Sequence, residues 1–87
     1  MPPVRMTHNA VTSYQRGLRP SASISSAYRE LRQMAAGAHF TAHAPHWLAR
    51  VRGDTDGYLL LDDDAAALPV RRGRVVACLV NPRHARR

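Results

Sequence analysis

Residues 23–38 read SISSAYRELRQMAAGA, and this stretch decides the fold class. Its apolar and small residues recur at the three- and four-residue spacing of an amphipathic helix: Ile24, Ala27, Tyr28, Leu31, Met34, Ala35 and Ala38. Ser23 is placed to begin the helix, and Gly37 is placed to end it in a left-handed conformation. Beyond Gly37 the apolar residues change to the two-residue period of strands.

A shorter helix is predicted before this one. Thr7 is a suitable N-cap, the helix continues to about Arg16, and Gly17 is expected to end it.

After Gly37 the strand pattern is weak at Phe40–His43 and clearer at Trp47–Val51, Tyr58–Leu61, Ala66–Val70 and Val75–Val80. Turn residues predict two hairpins, one through Gly53–Gly57 and one through Arg71-Arg72-Gly73. Pro69 cannot donate a ladder hydrogen bond, which places its strand at an edge or a bulge. We therefore expect an α+β fold with two N-terminal helices on a three- to four-stranded antiparallel sheet. The predicted core is Ile24, Tyr28, Leu31, Leu59, Leu61, Val76 and Leu79.

The chain has 87 residues, which suits one domain over residues 1–87 and is too short for a dinucleotide-binding fold. All 13 of its basic residues are Arg, and the formal net charge is +7. The ends, residues 1–5 and 81–87, lack a core-forming pattern and are predicted to be flexible and basic. No apolar run approaches the length of a membrane span, and no leader pattern is visible, so we expect a soluble, cytoplasmic protein without a membrane partner.

The segment from Thr7 to Arg16, followed by Leu18-Arg19-Pro20, carries the most suggestive chemistry. An imidazole at His8 can exchange a proton with a ribose hydroxyl, and guanidinium groups at Arg16 and Arg19 can hold phosphate oxygens. The alternative is that His8 is an exposed first-turn residue and that both arginines are ordinary cations at a helix end.

Four segments, HNAVTSYQR (8–16), AYREL (27–31), PHWL (45–48) and VVACLV (75–80), give the chain a family resemblance. Over residues 6–80 it resembles small toxin and prophage domains of the barnase–EndoU–colicin–RelE-like ribonuclease fold. The resemblance implies a metal-independent endoribonuclease toxin, with His8 as base or acid, Arg16 as phosphate ligand and Tyr14 as core anchor or orienting hydroxyl. The chain departs from the pattern at Ser13, where an arginine is expected, and at Cys78, where a threonine is expected. These departures leave open an inactive relative.

Arginines on the predicted sheet and after the first helix indicate nucleic-acid binding, and they are Arg19, Arg50, Arg52, Arg71, Arg72 and Arg74. The predicted partner is RNA or another polyanion, together with an acidic antitoxin protein if the chain is a toxin. Trp47 has two interpretations, a base-stacking residue beside the arginines or a core residue.

His39, His43 and His46 have a His-x3-His-x2-His spacing, which on a continuous helix would put the first two on one face at the separation of metal ligands. Because Ala44-Pro45 breaks such a helix, we expect the imidazoles to scatter. Asp54–Gly57 and Asp62–Asp64 are interpreted as turns, and Cys78 as a buried, inert thiol. We therefore predict no metal and no other cofactor.

Three functions remain open from the sequence. The first is the endoribonuclease toxin, and the second is a non-enzymatic phage or plasmid module that binds nucleic acid or inhibits a protein. The third is a subunit that forms a homodimer through an edge strand such as Ala66–Val70. Cleavage requires His8 to lie near a phosphate ligand, yet Arg16 is about 12 Å further along a straight helix at about 1.5 Å per residue. Either the helix ends near Ser13, or the ligand is Arg50, Arg52 or Arg74.

Overall fold

The computed structural model describes residues 5–48, 55–61 and 64–85. Helix α1 spans His8–Leu18. It begins as predicted at Thr7, whose Oγ1 accepts a hydrogen bond from the Ala10 amide at 3.2 Å. The predicted end at Gly17 is wrong, because the helix continues through this residue to Leu18. A Cβ on Gly17 would lie 2.5 Å from Cγ2 of Val80, so the glycine permits close packing rather than ending the helix.

Helix α2 spans Ile24–Ala36 and confirms the amphipathic pattern. The side chain of Ser23 caps it by accepting a hydrogen bond from the Ser26 amide. Gly37 follows the helix as predicted, but its φ of −96° is not left-handed. The left-handed stop predicted at Gly37 is therefore wrong, since this backbone conformation is open to any residue.

Six strands form one mixed sheet within the described residues. They are β1 (Arg5–Met6), β2 (His39–Thr41), β3 (Gly57–Leu60), β4 (Ala66–Arg71), β5 (Arg74–Val75) and β6 (Leu79–Val80). The order is β1-β5-β4-β3-β2, with β6 also pairing with β4. All pairs are antiparallel except β1 with β5, which is parallel.

The predicted α+β class is confirmed, while the sheet has more strands than the three or four expected and is not purely antiparallel. The extra strand β1 is two residues long, too short to show a period in the sequence. It is held by backbone hydrogen bonds to its neighbour, in which the Arg5 amide donates to the Gly73 carbonyl and the Thr7 amide donates to the Val75 carbonyl.

The continuous strand predicted over residues 75–80 is split into β5 and β6 by a bulge. Residues 76–78, three in number, lie opposite two residues of β4, Leu68 and Pro69. The Val76 amide donates to the carbonyl of Pro69, which has no amide of its own to return a bond. The bulge predicted from Pro69 is thus present.

Strand β4 is an interior strand, with β3 on one side and β5 and β6 on the other. The prediction of Ala66–Val70 as an edge strand for a homodimer is therefore wrong, because its backbone groups are already paired.

The hairpin predicted between Trp47–Val51 and Tyr58–Leu61 is also wrong. Strand β3 lies between β2 and β4, in the register Phe40↔Leu59↔Leu68, so both of its edges are occupied. Trp47 lies in a turn and Leu48 is not in a strand, while residues 49–54 lie outside the described part.

The two helices cover one face of the sheet. The core joins Ala10, Val11, Tyr14, Ala27, Leu31, Ala35, Leu59, Leu61, Ala66, Leu68, Val70, Val75 and Cys78. The prediction that Ile24 and Tyr28 are buried in the core is wrong, since these residues are 44% and 41% exposed. Helix α2 packs on the core through one narrow stripe, formed by Ala27, Leu31 and Ala35. The apolar side chains on either side of this stripe remain exposed. Val76 and Leu79 are only partly buried.

The segments expected to be flexible, 1–5 and 81–87, are described only at residues 5 and 81–85. Arg5 pairs within the sheet, and Asn81 is 7% exposed, with its Nδ2 donating to the Asp64 carbonyl at 2.8 Å. A short helix, α3, follows at Pro82–Ala85. Among the described residues, no helix is both long and apolar enough to cross a membrane.

Candidate nucleic-acid interface

A tight hairpin joins β4 to β5 and presents two arginines beside its turn. Arg71 pairs with Arg74, so the loop is Arg72-Gly73 alone. Both loop residues have positive φ, 52° and 74°, as a type I′ turn requires. The Asp56 carboxylate holds the turn by accepting a hydrogen bond from the Arg72 amide at 2.7 Å. The predicted hairpin is confirmed.

Three arginines lie side by side across three neighbouring strands. Arg71 on β4 is opposite Arg74 on β5, and Arg74 is in turn opposite Arg5 on β1. We call these three residues the arginine row. All three are exposed.

The arginine row lies on the sheet face away from the helices. Each arginine has one strand neighbour that belongs to the core under the helices or packs against it: Met6 beside Arg5, Val75 beside Arg74 and Val70 beside Arg71. Because successive strand residues point to opposite faces, the row points to the other side. With neighbouring strands about 4.8 Å apart, the row extends over about 10 Å.

Like charges directly opposite each other destabilise a sheet. Arg72 in the turn adds to the positive charge of the row. The Asp56 carboxylate, which accepts the hydrogen bond from the Arg72 amide, offsets part of that charge. A surface of this kind attracts anions and concentrates them before contact.

His8 lies at the start of α1 and is exposed. This end of the helix is fastened to β5 and the bulge: Oγ1 of Thr7 donates to the Val75 carbonyl, and Nδ2 of Asn9 donates to the Val76 carbonyl, both at 2.8 Å. His8 is therefore held on the element that runs directly from the arginine row, three residues after Arg5.

Arg16 does not lie with His8. Helix α1 is unbroken from His8 to Leu18, so the two residues are separated by about 12 Å along its axis. The alternative in which the helix ends near Ser13 is wrong. Three other arginines are predicted as alternatives to Arg16 for the phosphate ligand. Arg74 is in the arginine row, and Arg50 and Arg52 lie outside the described residues.

Tyr14 is a core residue whose hydroxyl is engaged. It is 3% exposed, and its hydroxyl donates to Oε1 of Glu30 at 2.8 Å. The same carboxylate oxygen lies 3.2 Å from Nε of Arg19. Burial and the hydrogen bond to Glu30 raise the pKa of Tyr14 to about 12. Tyr14 and Arg19 thus join the two helices, away from the arginine row.

The other sequence candidates do not converge on a site. The indole of the half-buried Trp47 donates to Oδ1 of Asp64 at 2.9 Å, and Trp47 is not part of the core cluster. His39 lies on β2, while His43 and His46 lie in a bend and a turn. Across residues 5–48, 55–61 and 64–85, no three His, Cys, Asp or Glu side chains are grouped to hold a metal ion. Cys78 is buried as predicted, and burial raises its pKa to about 12.

Arg5 is the residue that sequence reasoning missed. It falls in the segment predicted to be a flexible end, because a two-residue strand has no period from which to recognise it. Only the parallel pairing with β5 brings it beside Arg74.

Comparisons of the chain with protein-family models, with curated proteins and with solved structures found no match. The resemblance to ribonuclease toxins stays a prediction.

Proposed function

We propose that this protein binds RNA through the sugar-phosphate backbone, using the arginine row of Arg5, Arg74 and Arg71 together with Arg72. The observation that carries the proposal is the cross-strand register, which sets three guanidinium-bearing residues on adjacent strands. Arg5 opposite Arg74 sets two like charges on neighbouring strands, and a bound polyanion relieves their repulsion.

The dimensions of the row suit a single strand of nucleic acid. Charges on one strand of a nucleic-acid helix recur about every 3.4 Å along the axis, so a row about 10 Å long spans about three intervals between successive phosphates. Guanidinium groups favour this role because they bind phosphate oxygens in a bidentate manner. The resemblance to ribonuclease toxins favours RNA over DNA.

RNA cleavage is the second candidate function, and it requires the RNA to pass from the arginine row around the β1 edge of the sheet to His8, which begins α1 on the side that carries the helices. His8 is exposed, three residues after Arg5, on a helix start fastened to the strand that carries Arg74. In this version the imidazole takes or gives a proton at the ribose, and the arginine row takes the phosphate role predicted for Arg16. Tyr14 has no part in it, because its hydroxyl is committed to Glu30.

Binding is tested by fluorescence anisotropy with a labelled single-stranded RNA over a range of salt concentrations. We expect affinity to fall steeply with salt, and the slope of log K against log salt to become shallower by about 0.7 for each arginine of the row that is removed. Arg5→Glu/Arg74→Glu is the test variant, and the matched control Arg29→Glu/Arg32→Glu reverses two exposed arginines of α2. Salt-independent binding, or equal losses in both variants, contradicts the proposal.

Cleavage is tested on the same RNA in EDTA with wild-type protein and His8→Ala. Cleavage that disappears in His8→Ala while affinity is kept supports the second candidate. If both proteins bind the RNA and neither cleaves it, RNA binding without cleavage is the function that remains.

A further inference from the structure

A single acidic residue, Asp56, lies at the end of the arginine row that is farther from β1. Its amide donates to the Val70 carbonyl at 2.8 Å, which places it at the start of β3 beside Arg71. Its carboxylate Oδ2 accepts the hydrogen bond from the Arg72 amide at 2.7 Å, and the residue is exposed. Three cations on neighbouring strands are thus followed by an accessible carboxylate.

We propose that the Asp56 carboxylate accepts a hydrogen bond from a ribose 2′-hydroxyl of the bound strand and thereby selects RNA over DNA. This contact presupposes the RNA binding proposed above. The arginines of the row bind phosphates, which RNA and DNA share, so they cannot distinguish the two nucleic acids. The 2′-hydroxyl is the group by which a protein can do so.

The chemistry of a carboxylate points to a ligand that carries a hydrogen-bond donor next to its phosphates. An ionised carboxylate only accepts hydrogen bonds, and it repels phosphates. Beside cations that bind phosphate alone, it would lower the affinity for the ligand. The sugar-phosphate backbone of RNA carries a donor in each ribose, whereas the backbone of DNA carries none within the chain. Asp56 therefore matches the backbone of RNA better than that of DNA.

The acceptor capacity left on Asp56 suits a single donor. Oδ2 is engaged by the Arg72 amide, and this bond fixes the direction of the carboxylate. Oδ1 receives no hydrogen bond from another described residue. A base edge with two adjacent donors, such as that of guanine, needs both oxygens for a bidentate pair, whereas a ribose hydroxyl needs one. We therefore assign the contact to the sugar rather than to a base.

The same face of the sheet is closed just beyond the row. Tyr58 and Pro69 point away from the helices, because their strand neighbours Leu59 and Leu68 belong to the core under the helices. Even so, Tyr58 is 2% exposed and Pro69 is fully buried. A bound strand is therefore restricted to the hairpin end of the sheet, where the row leads to Asp56.

The test compares three labelled oligonucleotides of one sequence: RNA, DNA, and 2′-O-methyl RNA, in which the sugar oxygen can no longer donate. By fluorescence anisotropy at one salt concentration, we expect the wild-type protein to bind RNA about 10-fold more tightly than either of the others, as for a hydrogen bond to a charged group. Equal affinity for all three, or for RNA and 2′-O-methyl RNA, overturns the role of Asp56 and leaves backbone binding in place. No binding to any of them overturns both proposals.

Variants then assign the preference to one residue. Asp56→Asn keeps an oxygen for the Arg72 amide but removes the charged acceptor. We expect it to bind all three oligonucleotides more tightly, because a negative charge is lost, and to prefer RNA over 2′-O-methyl RNA by less than about 3-fold.

Arg74→Gln is the matched control, since it removes a phosphate contact and not a sugar contact. It should weaken the binding of all three oligonucleotides by a similar factor and leave the preference for RNA unchanged. A full RNA preference in Asp56→Asn, or its loss in Arg74→Gln, overturns the proposal. Thermal unfolding shows that both variants are folded, and the wild-type comparison stands without either of them.

Discussion

Arg5 lies directly opposite Arg74 in the parallel register of β1 and β5, although both residues are cations. On the other side of Arg74 lies a third cation, Arg71. The fold tolerates this repulsion at the exposed face of the sheet, while the next residues of the same strands, Met6 and Val75, pack with the core. Surface charge and core packing are therefore decided by alternate residues of the same short strands.

Removing one charge from the arginine row should stabilise the free protein. We expect Arg74→Gln to raise the free energy of unfolding by about 0.2 to 1 kcal/mol at low salt, because it removes the positive charge that lies opposite Arg5. Urea unfolding at low and high salt measures the effect, which should shrink as salt screens the row. Arg16→Gln is the control and should have the opposite sign, since Arg16 lies in the last turn of α1 where a cation is favourable.

Arg72 should show an opposition between stability and binding. Its φ of 52° is unfavourable for arginine and well tolerated by asparagine in a type I′ turn. Arg72→Asn is expected to stabilise the protein by about 0.5 to 1 kcal/mol and to weaken RNA binding, as followed by thermal unfolding and anisotropy. Gly73→Ala is the matched change at the other residue of the loop, where φ is 74° and a Cβ would meet no other atom. It should lower the free energy of unfolding by about 1 kcal/mol, because alanine disfavours this backbone conformation. A destabilised Arg72→Asn protein would argue against a strained turn.

Two apolar residues of α2 should differ sharply in their contribution to stability. Leu31 is fully buried, and Leu31→Ala should lower the free energy of unfolding by about 2 to 5 kcal/mol through lost contacts and a cavity. Ile24 is 44% exposed, and Ile24→Ala should cost less than about 1 kcal/mol. Chemical unfolding of both variants makes the comparison, and similar losses would mean that Ile24 is covered in solution.

Tyr14 should make stability depend on pH in the alkaline range. Burial and the Glu30 hydrogen bond raise its pKa to about 12 in the folded protein, against about 10 in the unfolded chain. The contribution is thus fully present below pH 10 and is lost as the pH rises from about 10 towards about 12, since only the unfolded chain releases the proton there.

Tyr14→Phe removes this term. We expect it to cost about 0.5 to 1.5 kcal/mol at pH 8, where the hydrogen bond is lost, and to make the decline between pH 9.5 and pH 11 shallower than in wild type. Urea midpoints over this range give the two curves, and parallel curves would exclude Tyr14 as their source. Tyr28→Phe, which removes an exposed hydroxyl, is the control at pH 8.

Gly17 should resist a substitution that usually stabilises a helix. Alanine in place of a helical glycine gains about 0.5 to 1 kcal/mol, but here its Cβ would lie 2.5 Å from Cγ2 of Val80. We expect Gly17→Ala to lose about 1 kcal/mol or more, and Val80→Ala to relieve that loss in the double variant. A double-mutant cycle with no coupling between the two positions would contradict the contact.

Much of the helical layer could be predicted from the sequence, because its signals are local. The caps at Thr7 and Ser23 act within three residues, and the period of residues 24–36 reports one helix at a time. The hairpin loop at Arg72-Gly73 and the bulge opposite Pro69 also follow from residues whose backbone preferences are local.

The candidate site could be predicted only in part. The sequence indicates Arg71, Arg72 and Arg74 but not Arg5, and the early end of α1 near Ser13 that would bring Arg16 to His8 is wrong. The first error came from a strand too short to have a period, and the second from a helix that continues past the point where a break was needed.

By itself, the sequence determined the α+β class, the two helices, the tight hairpin and an excess of arginine, because capping, periodicity, turn conformation and charge are properties of short segments. The tertiary structure alone decided which strands pair, that β4 is interior, that Arg5 joins Arg74, and that Ile24 and Tyr28 stay outside the core. The physical reason is that strand pairing and burial depend on residues far apart in the chain, such as Thr7 and Val75, whose contact no local pattern encodes.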